Sequence, residues 1–419
     1  MSGWQVIAAG LLVTYLAAGG HRDKQPRVPE NGKQLGTIFN NDINNILYAS
    51  SGPDITVEEY RHAVECLLDA QPGVLAQNVG CPDPVIYRSE IATTWDKYVG
   101  GDQAAAMAAL LAAGTDPLTI TVEACHERGV LIVASYRMNA EDFYKRQLEL
   151  YDFGRAHKDW AIPGANCLDP AIPEVYEHRM AIFREVAENY DIDGIEFDFR
   201  RWNHMISDPH NNYPILTQMV RDTRTMLDEV AKKKGRNKLL LGARVGPILA
   251  GPFIPEEFPG AGPAYINPSC QDLGLDVKTW INEGVVDYVC PTLFWPRWPG
   301  LPRTAEFAEI AQGTKVGIYP TIFPLPAWLE GEDSQPIAAD DQERRRQYRT
   351  ELGQLALQCY ADGADGISTF NWVQHHQTGM VRNPMRSAWG DGAKQEQMAI
   401  LPKLCNPQAL RQYLAQDAN

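Results

Sequence analysis

Hydrophobic and polar positions along the chain fall into two interleaved rhythms. Short runs rich in β-branched and aromatic residues alternate with period two, and between them lie longer stretches whose apolar residues recur at helical spacing. Eight strand-like runs can be counted: Gly36 to Asp42, Val74 to Gly80, Gly129 to Asn139, Gly194 to Arg200, Lys238 to Gly246, Val285 to Phe294, Lys315 to Phe323 and Gly366 to Trp372. The first helix is announced by Thr56-Val-Glu-Glu59, a capping box ahead of an apolar face of Tyr60, Val64, Leu67 and Leu68. Further amphipathic stretches predict helices near Pro173 to Tyr190, Ile215 to Lys234, Val277 to Glu283, Ala305 to Ala311, Gln342 to Ala361 and Gln395 to Leu414. Eight strands interleaved with helices predict an α/β fold, a single (β/α)8 barrel with long βα loops. A doubly wound open sheet is the runner-up, disfavoured by the strand count.

The expected domain map is a secretory signal over residues 1–20, a polar lead-in over 21–35, and one (β/α)8 barrel with C-terminal helices over 36–419. The apolar run Val6 to Ala18 is shorter than the roughly 20 residues a bilayer needs. It ends in small residues as a signal does, although no Lys or Arg precedes it. Export to the periplasm or outside the cell is therefore the expectation, and no later segment reads as a membrane span.

The 53 acidic and 38 basic side chains leave a formal net charge of −15. A surface this acidic repels phosphate backbones and anionic headgroups, so nonspecific nucleic-acid or membrane-surface binding is excluded as a function class. The eight cysteines show no CxxC, and no HxH or HExxH spacing occurs, so neither a zinc site nor a dense disulfide framework is expected. Cys66, Cys290 and Cys359 read as small buried hydrophobes. The expected cofactor set is empty, and the oligomeric state is left open.

The chemistry concentrates in the fourth run, Gly194-Ile-Glu-Phe-Asp-Phe-Arg200. Strand alternation puts Glu196, Asp198 and Arg200 on one face and Ile195, Phe197 and Phe199 on the other. The polar face is expected to point into a solvent-reachable barrel mouth. Two carboxylates at successive inward positions lie about 6.5–7 Å apart by the strand rise, close enough to couple. Such pairs supply an acid and a nucleophile from like groups in glycosidases; the plainer reading is a buried network that orders the barrel centre.

DGIEFDFR at Asp193 to Arg200 resembles the DGxDxDxE strand of family 18 chitinases, with the terminal acid replaced by Arg200. An arginine cannot donate a proton at ordinary pH, so the chitinase mechanism does not transfer. The chain as a whole is more similar to the bacterial glycosyl-hydrolase-like, family-10-like (GHL10) barrels. That resemblance rests on NNDINNILYASS around Asp42, VASYRMN at Val133 to Asn139, YDIDGIEFDFRRW at Tyr190 to Trp202, VDYVCPTLFW at Val286 to Trp295 and DGISTFNW at Asp365 to Trp372. It implies a carbohydrate-active protein acting on an oligo- or polysaccharide, without naming the sugar.

Around the mouth, Arg137 and Asn139 in the third run and Arg244 in the fifth join Arg200 as candidate substrate-binding residues. Three guanidinium forks suit an anionic sugar, uronic or sulfated, or else neutralise Glu196, Asp198 and Asp42. Trp295, Trp298, Trp328 and Trp372 are candidate sugar-stacking rings, and Asp42 and Asn371 candidate hydrogen-bonding groups. Asp42, Asp83, Asp96, Glu256 and Glu257 are candidates for a second acid, whereas Asp287 and Asp276 read as structural. The resulting expectation is a glycoside hydrolase with Asp198 as nucleophile or transition-state stabiliser and Glu196 as acid/base partner or positioning group. Its rivals are a glycan-binding, lectin-like barrel without turnover and a lyase acting on a polyanionic glycan.

Overall fold

The computed structural model describes residues 26–42, 54–139, 146–200, 203–252, 267–293, 300–329, 335–372 and 390–416. Each of the eight predicted runs forms strand: β1 Thr37–Asn41, β2 Val74–Gly80, β3 Leu131–Arg137, β4 Gly194–Asp198, β5 Leu240–Val245, β6 Tyr288–Pro291, then β7 Gly317–Ile318 and β8 Thr321–Ile322 from the seventh run, and β9 Ile367–Phe370. Every pairing is parallel, in the order β7-β6-β5-β4-β3-β2-β1-β9-β8. Because β7 and β8 are two parts of one run, the ring closes into the expected (β/α)8 barrel.

The split has a local cause. Pro320 has no N–H to give to a neighbouring strand, and the run is interrupted at Tyr319-Pro320. Tyr319 N–H still donates to Val289 at 2.9 Å, and Thr292 bridges to Thr321. The Tyr319 hydroxyl turns to the N-terminal end of the barrel, donating to the Gly32 carbonyl at 2.7 Å and accepting from Leu35 N–H at 3.0 Å. The lead-in is thus more than a solvated tether: Val28 and Leu35 join Ile38, Val133, Leu240 and Tyr288 in the apolar plug inside the barrel.

Between strands and helices lies the larger core, which takes the outward residues Ile195, Phe197 and Phe199 of β4. The Phe197 ring packs 4.9 Å from Phe183 and the Phe199 ring 5.7 Å from Trp280. The Thr56 capping box is present, with Glu59 N–H on the Thr56 hydroxyl at 3.1 Å and Thr56 N–H on the Glu59 carboxylate at 2.9 Å. Three α-helices among the described residues were not foreseen, Gly101–Ala112, Pro117–Glu127 and the short Asp152–Ala156. The first reads GDQAAAMAALLA, an alanine-rich run whose high helix propensity carries almost no polar-apolar contrast. The predicted helix from Ile215 begins at Pro209 instead and holds Pro214 in its second turn. The predicted C-terminal helix is two, Gly390–Ile400 and Pro407–Ala415, separated at Pro402 and restarted by an Asn406 cap.

A repeated device fixes the N-terminal end of the barrel. Asp193, Asp287 and Asp365 precede β4, β6 and β9, and each exchanges two hydrogen bonds with the second residue of an earlier strand, β3, β5 and β7 in turn. Asp193 N–H donates to the Ile132 carbonyl at 2.7 Å and its carboxylate accepts Ile132 N–H at 2.8 Å. The corresponding pairs are Asp287 with Leu241, at 2.7 and 2.8 Å, and Asp365 with Ile318, at 2.9 and 3.0 Å. The Asp193 carboxylate also meets Arg236 and lies 3.0 Å from His126 Nε2; that of Asp287 meets Arg224 and Lys238. The structural reading of Asp287 holds, as does that of Asp276, which caps its helix through Thr279 N–H at 3.2 Å. Replacing Asp193 by Ala strands a buried Arg236 and opens the clamp, and is expected to cost about 3–5 kcal/mol. A lowered urea midpoint measures this; an unchanged midpoint would show the clamp to be dispensable.

Candidate active site at the barrel mouth

Strand register decides what faces inward. Glu196 pairs with Ser135 and Gly242, and Asp198 with Arg137 and Arg244, so these residues share the interior face. The expected inward projection of both acids is met, but at two depths, and access differs from the expectation. Glu196 is fully buried and Asp198 only 2% exposed, so neither stands in an open hollow as the structure is arranged.

Glu196 sits at the barrel centre with both oxygens occupied. Oε1 accepts from the Asn40 amide at 2.6 Å and the Ser135 hydroxyl at 2.8 Å, and Oε2 from the Tyr288 hydroxyl at 3.0 Å. Strands β1, β3 and β6 thereby converge on one carboxyl of β4. Gly242 makes this geometry feasible, because a Cβ there would lie 2.0 Å from the Tyr288 ring. Burial and, secondarily, the charge on Asp198 push the Glu196 carboxyl up to about 7, against the opposing donors. Of its two expected roles, this placement fits the positioning group and not an acid in contact with substrate.

Asp198 ends β4 one layer higher. Its Oδ2 accepts from Arg244 Nη1 at 2.8 Å and its Oδ1 from the Arg200 backbone N–H at 2.8 Å. Beyond Asp198 the strand has ended, so alternation no longer governs Arg200. Its guanidinium runs toward β6, donating to the Thr292 carbonyl at 3.1 Å and the Asn267 side chain at 2.8 Å. Burial, together with the neighbouring Arg244, brings Arg200 down to about 9. Arg244 is wholly buried, with its guanidinium 4.0 Å from the Phe370 ring centroid.

On the opposite wall Asp42 is held by Arg137 Nη2 and by Asn371 Nδ2, the latter at 2.9 Å, while Asp42 N–H donates to Asn371 Oδ1 at 3.0 Å. Asn371 adopts a left-handed backbone, φ 54°, to make this reciprocal pair. Asn139 is buried and donates to the His204 carbonyl.

Trp372 is corrected by the structure. It is fully buried among the helices and strands, with its indole N–H on the Ile322 carbonyl at 2.8 Å, so it packs the core and does not stack on a sugar. Trp328 is likewise tied to Glu351 at 2.8 Å. Asp83 is a buried support, accepting Thr93 N–H at 2.9 Å and lying 3.2 Å from His178 Nε2. Trp295, Trp298, Glu256 and Glu257 lie outside the described residues. None of the eight cysteines is in a disulfide; Cys290 and Cys359 are buried as expected, and Cys66 only partly. Among the described residues no cluster of three or more His, Cys, Asp and Glu is arranged for a metal, and no single helix is long and apolar enough to cross a membrane.

Asn40, Tyr288, Gly242 and Phe370 were not singled out in the sequence. The signal was nonetheless there: counting alternate positions from Asp42 reaches Asn40, and the register of β4, β5 and β6 aligns Glu196, Gly242 and Tyr288.

A parallel eight-stranded barrel with inward carboxylates at the C-terminal end of its fourth strand defines the class of enzyme-like (β/α)8 proteins. Residues 41–223 match the glycosyl hydrolase-like 10 family. The glycosyl hydrolase DigH of Escherichia coli strain K12 is 26% identical over 238 residues, 49% of this chain and 53% of the relative. The glycosyl hydrolase YngK of Bacillus subtilis strain 168 is 24% identical over 221 residues, 48% of this chain and 42% of the relative. The chain thus spans about half the length of the curated relatives it matches. These matches make the chain similar to glycosyl hydrolase-like 10 proteins over residues 41–223. A family 18 chitinase from Cycas revoluta, solved with allosamidin, is similar at 12% identity and a TM-score of 0.48, covering 89% of this chain and 99% of that one. At that score the likeness adds nothing to the strand order described above.

Because the folded protein holds the Glu196 proton more tightly than an unfolded chain titrating near 4.5, the contribution of Glu196 to stability is full below that pH and is lost as pH rises through about 7. That loss is on the order of 3 kcal/mol. Glu196→Gln is expected to flatten the decline in urea midpoint between acid and mildly alkaline pH. Parallel wild-type and variant profiles would show that Glu196 does not titrate in this range.

Proposed function

We propose that the chain hydrolyses a glycosidic bond in an oligo- or polysaccharide, with an anionic glycan favoured by the arginine-rich mouth. The observation that carries this reading is Asp198 itself, a carboxylate at the C-terminal end of an inner strand, oriented by Arg244 and by a backbone N–H. Such a group is placed to stabilise or attack an electron-deficient anomeric carbon. Asp42, just past β1 and ion-paired to Arg137, is a second mouth carboxylate. Glu196 beneath them acts as the positioning group, and its proton at neutral pH relieves the repulsion that two charges on one strand would impose. Neither metal nor organic cofactor is needed for this chemistry. Access of a glycan to Asp198, 2% exposed, requires movement at the mouth. Export, supported by the apolar run Val6 to Ala18, belongs to the same proposal.

One observation favours glycan binding without turnover. Arg200 occupies the position at which the resembling chitinase strand carries its proton donor, and the Asp42 and Asp198 carboxylates are both ion-paired. The two readings separate on Asp198→Asn. Hydrolysis predicts a loss of reducing-sugar release by about 10²–10⁴-fold with glycan binding retained. If the wild-type protein binds glycans but cleaves none across a broad panel, the hydrolytic reading fails and the binding one replaces it.

A further inference from the structure

Arg244 is only half used by the interactions described. Its Nη1 donates to Asp198, whereas Nε and Nη2 are buried and meet no hydrogen-bonding partner among the described residues. These two atoms are not a random remainder. In a guanidinium, Nε–H and the nearer Nη2–H point the same way and form the side-on fork that grips two oxygens of one planar group. The Phe370 ring, 4.0 Å from the guanidinium carbon, covers one face. Asp198 occupies the far nitrogen, so the whole fork is left open. Two buried donors without acceptors are costly, on the order of 1–3 kcal/mol each, and native interiors rarely leave them so.

Electrostatics points to the same place. Burial first, and then repulsion by the nearby Arg244, brings Arg200 down to about 9, so an anion seated in the Arg244 fork would relieve the repulsion between the two guanidinium groups.

We infer that the open Nε/Nη2 fork of Arg244 receives a carboxylate carried by the substrate, which makes the glycan a uronate-type polymer and Arg244 its specificity-determining residue. The inference rests on the hydrolase reading above and goes further by committing to a carboxylated sugar over a sulfated one. A carboxylate presents two coplanar oxygens to the fork and satisfies both open donors without displacing Asp198 from Nη1.

The test is equilibrium binding by titration calorimetry of oligogalacturonate and glucuronoxylan oligomers, each beside its carboxyl-reduced neutral counterpart and a sulfated oligosaccharide, with wild-type protein and Arg244→Lys. Lysine retains the charge that serves Asp198 but has no fork. The expected result is at least tenfold tighter binding of an acidic oligomer than of its reduced form in the wild type. That preference should be lost in the variant, which should bind the acidic and the reduced forms alike. Equal binding of acidic and reduced oligomers overturns the inference while leaving the hydrolase reading standing, as does a preference for the sulfated sugar. A variant weakened equally toward both forms shows a merely structural arginine. Acetate competing as strongly as the acidic oligomer shows a free-anion site instead of a substrate site. Failure of every oligomer, acidic or neutral, to bind removes the hydrolase reading and this inference together. The wild-type comparison stands even where the variant does not fold.

Discussion

A carboxyl group inside a closed ring of strands is tolerable only when its oxygens are fully occupied, and Glu196 is the point on which this barrel turns. Its partners come from β1, β3 and β6, so the group ties distant parts of the ring to β4. The arrangement is conditional on an absence: Gly242 has no side chain, and the Tyr288 ring fills that space to reach the carboxyl. Burial and the nearness of Asp198 two residues away raise the Glu196 carboxyl, so the two acids of the strand are electrostatically coupled.

Acidic residues at the two ends of the barrel have separate tasks. At the N-terminal end, Asp193, Asp287 and Asp365 each accept a backbone N–H from another strand and each also meets a cation. They brace strand starts. At the C-terminal end, Asp42 and Asp198 are held by arginines whose forks have capacity for more than one partner. This agrees with the general division of such barrels into a stabilising end and a reactive end.

Much of this was legible in the sequence, for identifiable reasons. The eight strands announce themselves because each is bounded by turn residues and is too short to be mistaken for a helix; the parity of Glu196 and Asp198 follows from strand alternation alone. What was not legible has physical causes too. The Gly101–Ala112 helix is too uniformly apolar to show a face. Trp372 was misplaced because the left-handed turn at Asn371 breaks the alternation that would have aimed it at the mouth. The depth of Glu196 depends on Asn40 and Tyr288, residues far apart in the chain that only the ring brings together. The use of Arg200 was missed because β4 ends two residues before it.

The interruption at Tyr319-Pro320 gives the molecule a seam. Elsewhere adjoining strands are laced by runs of main-chain ladder, but here two-residue segments on either side of a proline complete the circle, with a tyrosine hydroxyl and the lead-in stitched across the base. Breathing of the ring would begin at this joint and run toward β6 and β9. The opposite wall, carrying Glu196, Asp198 and Arg244 on the well-paired β3 to β5, would keep its shape.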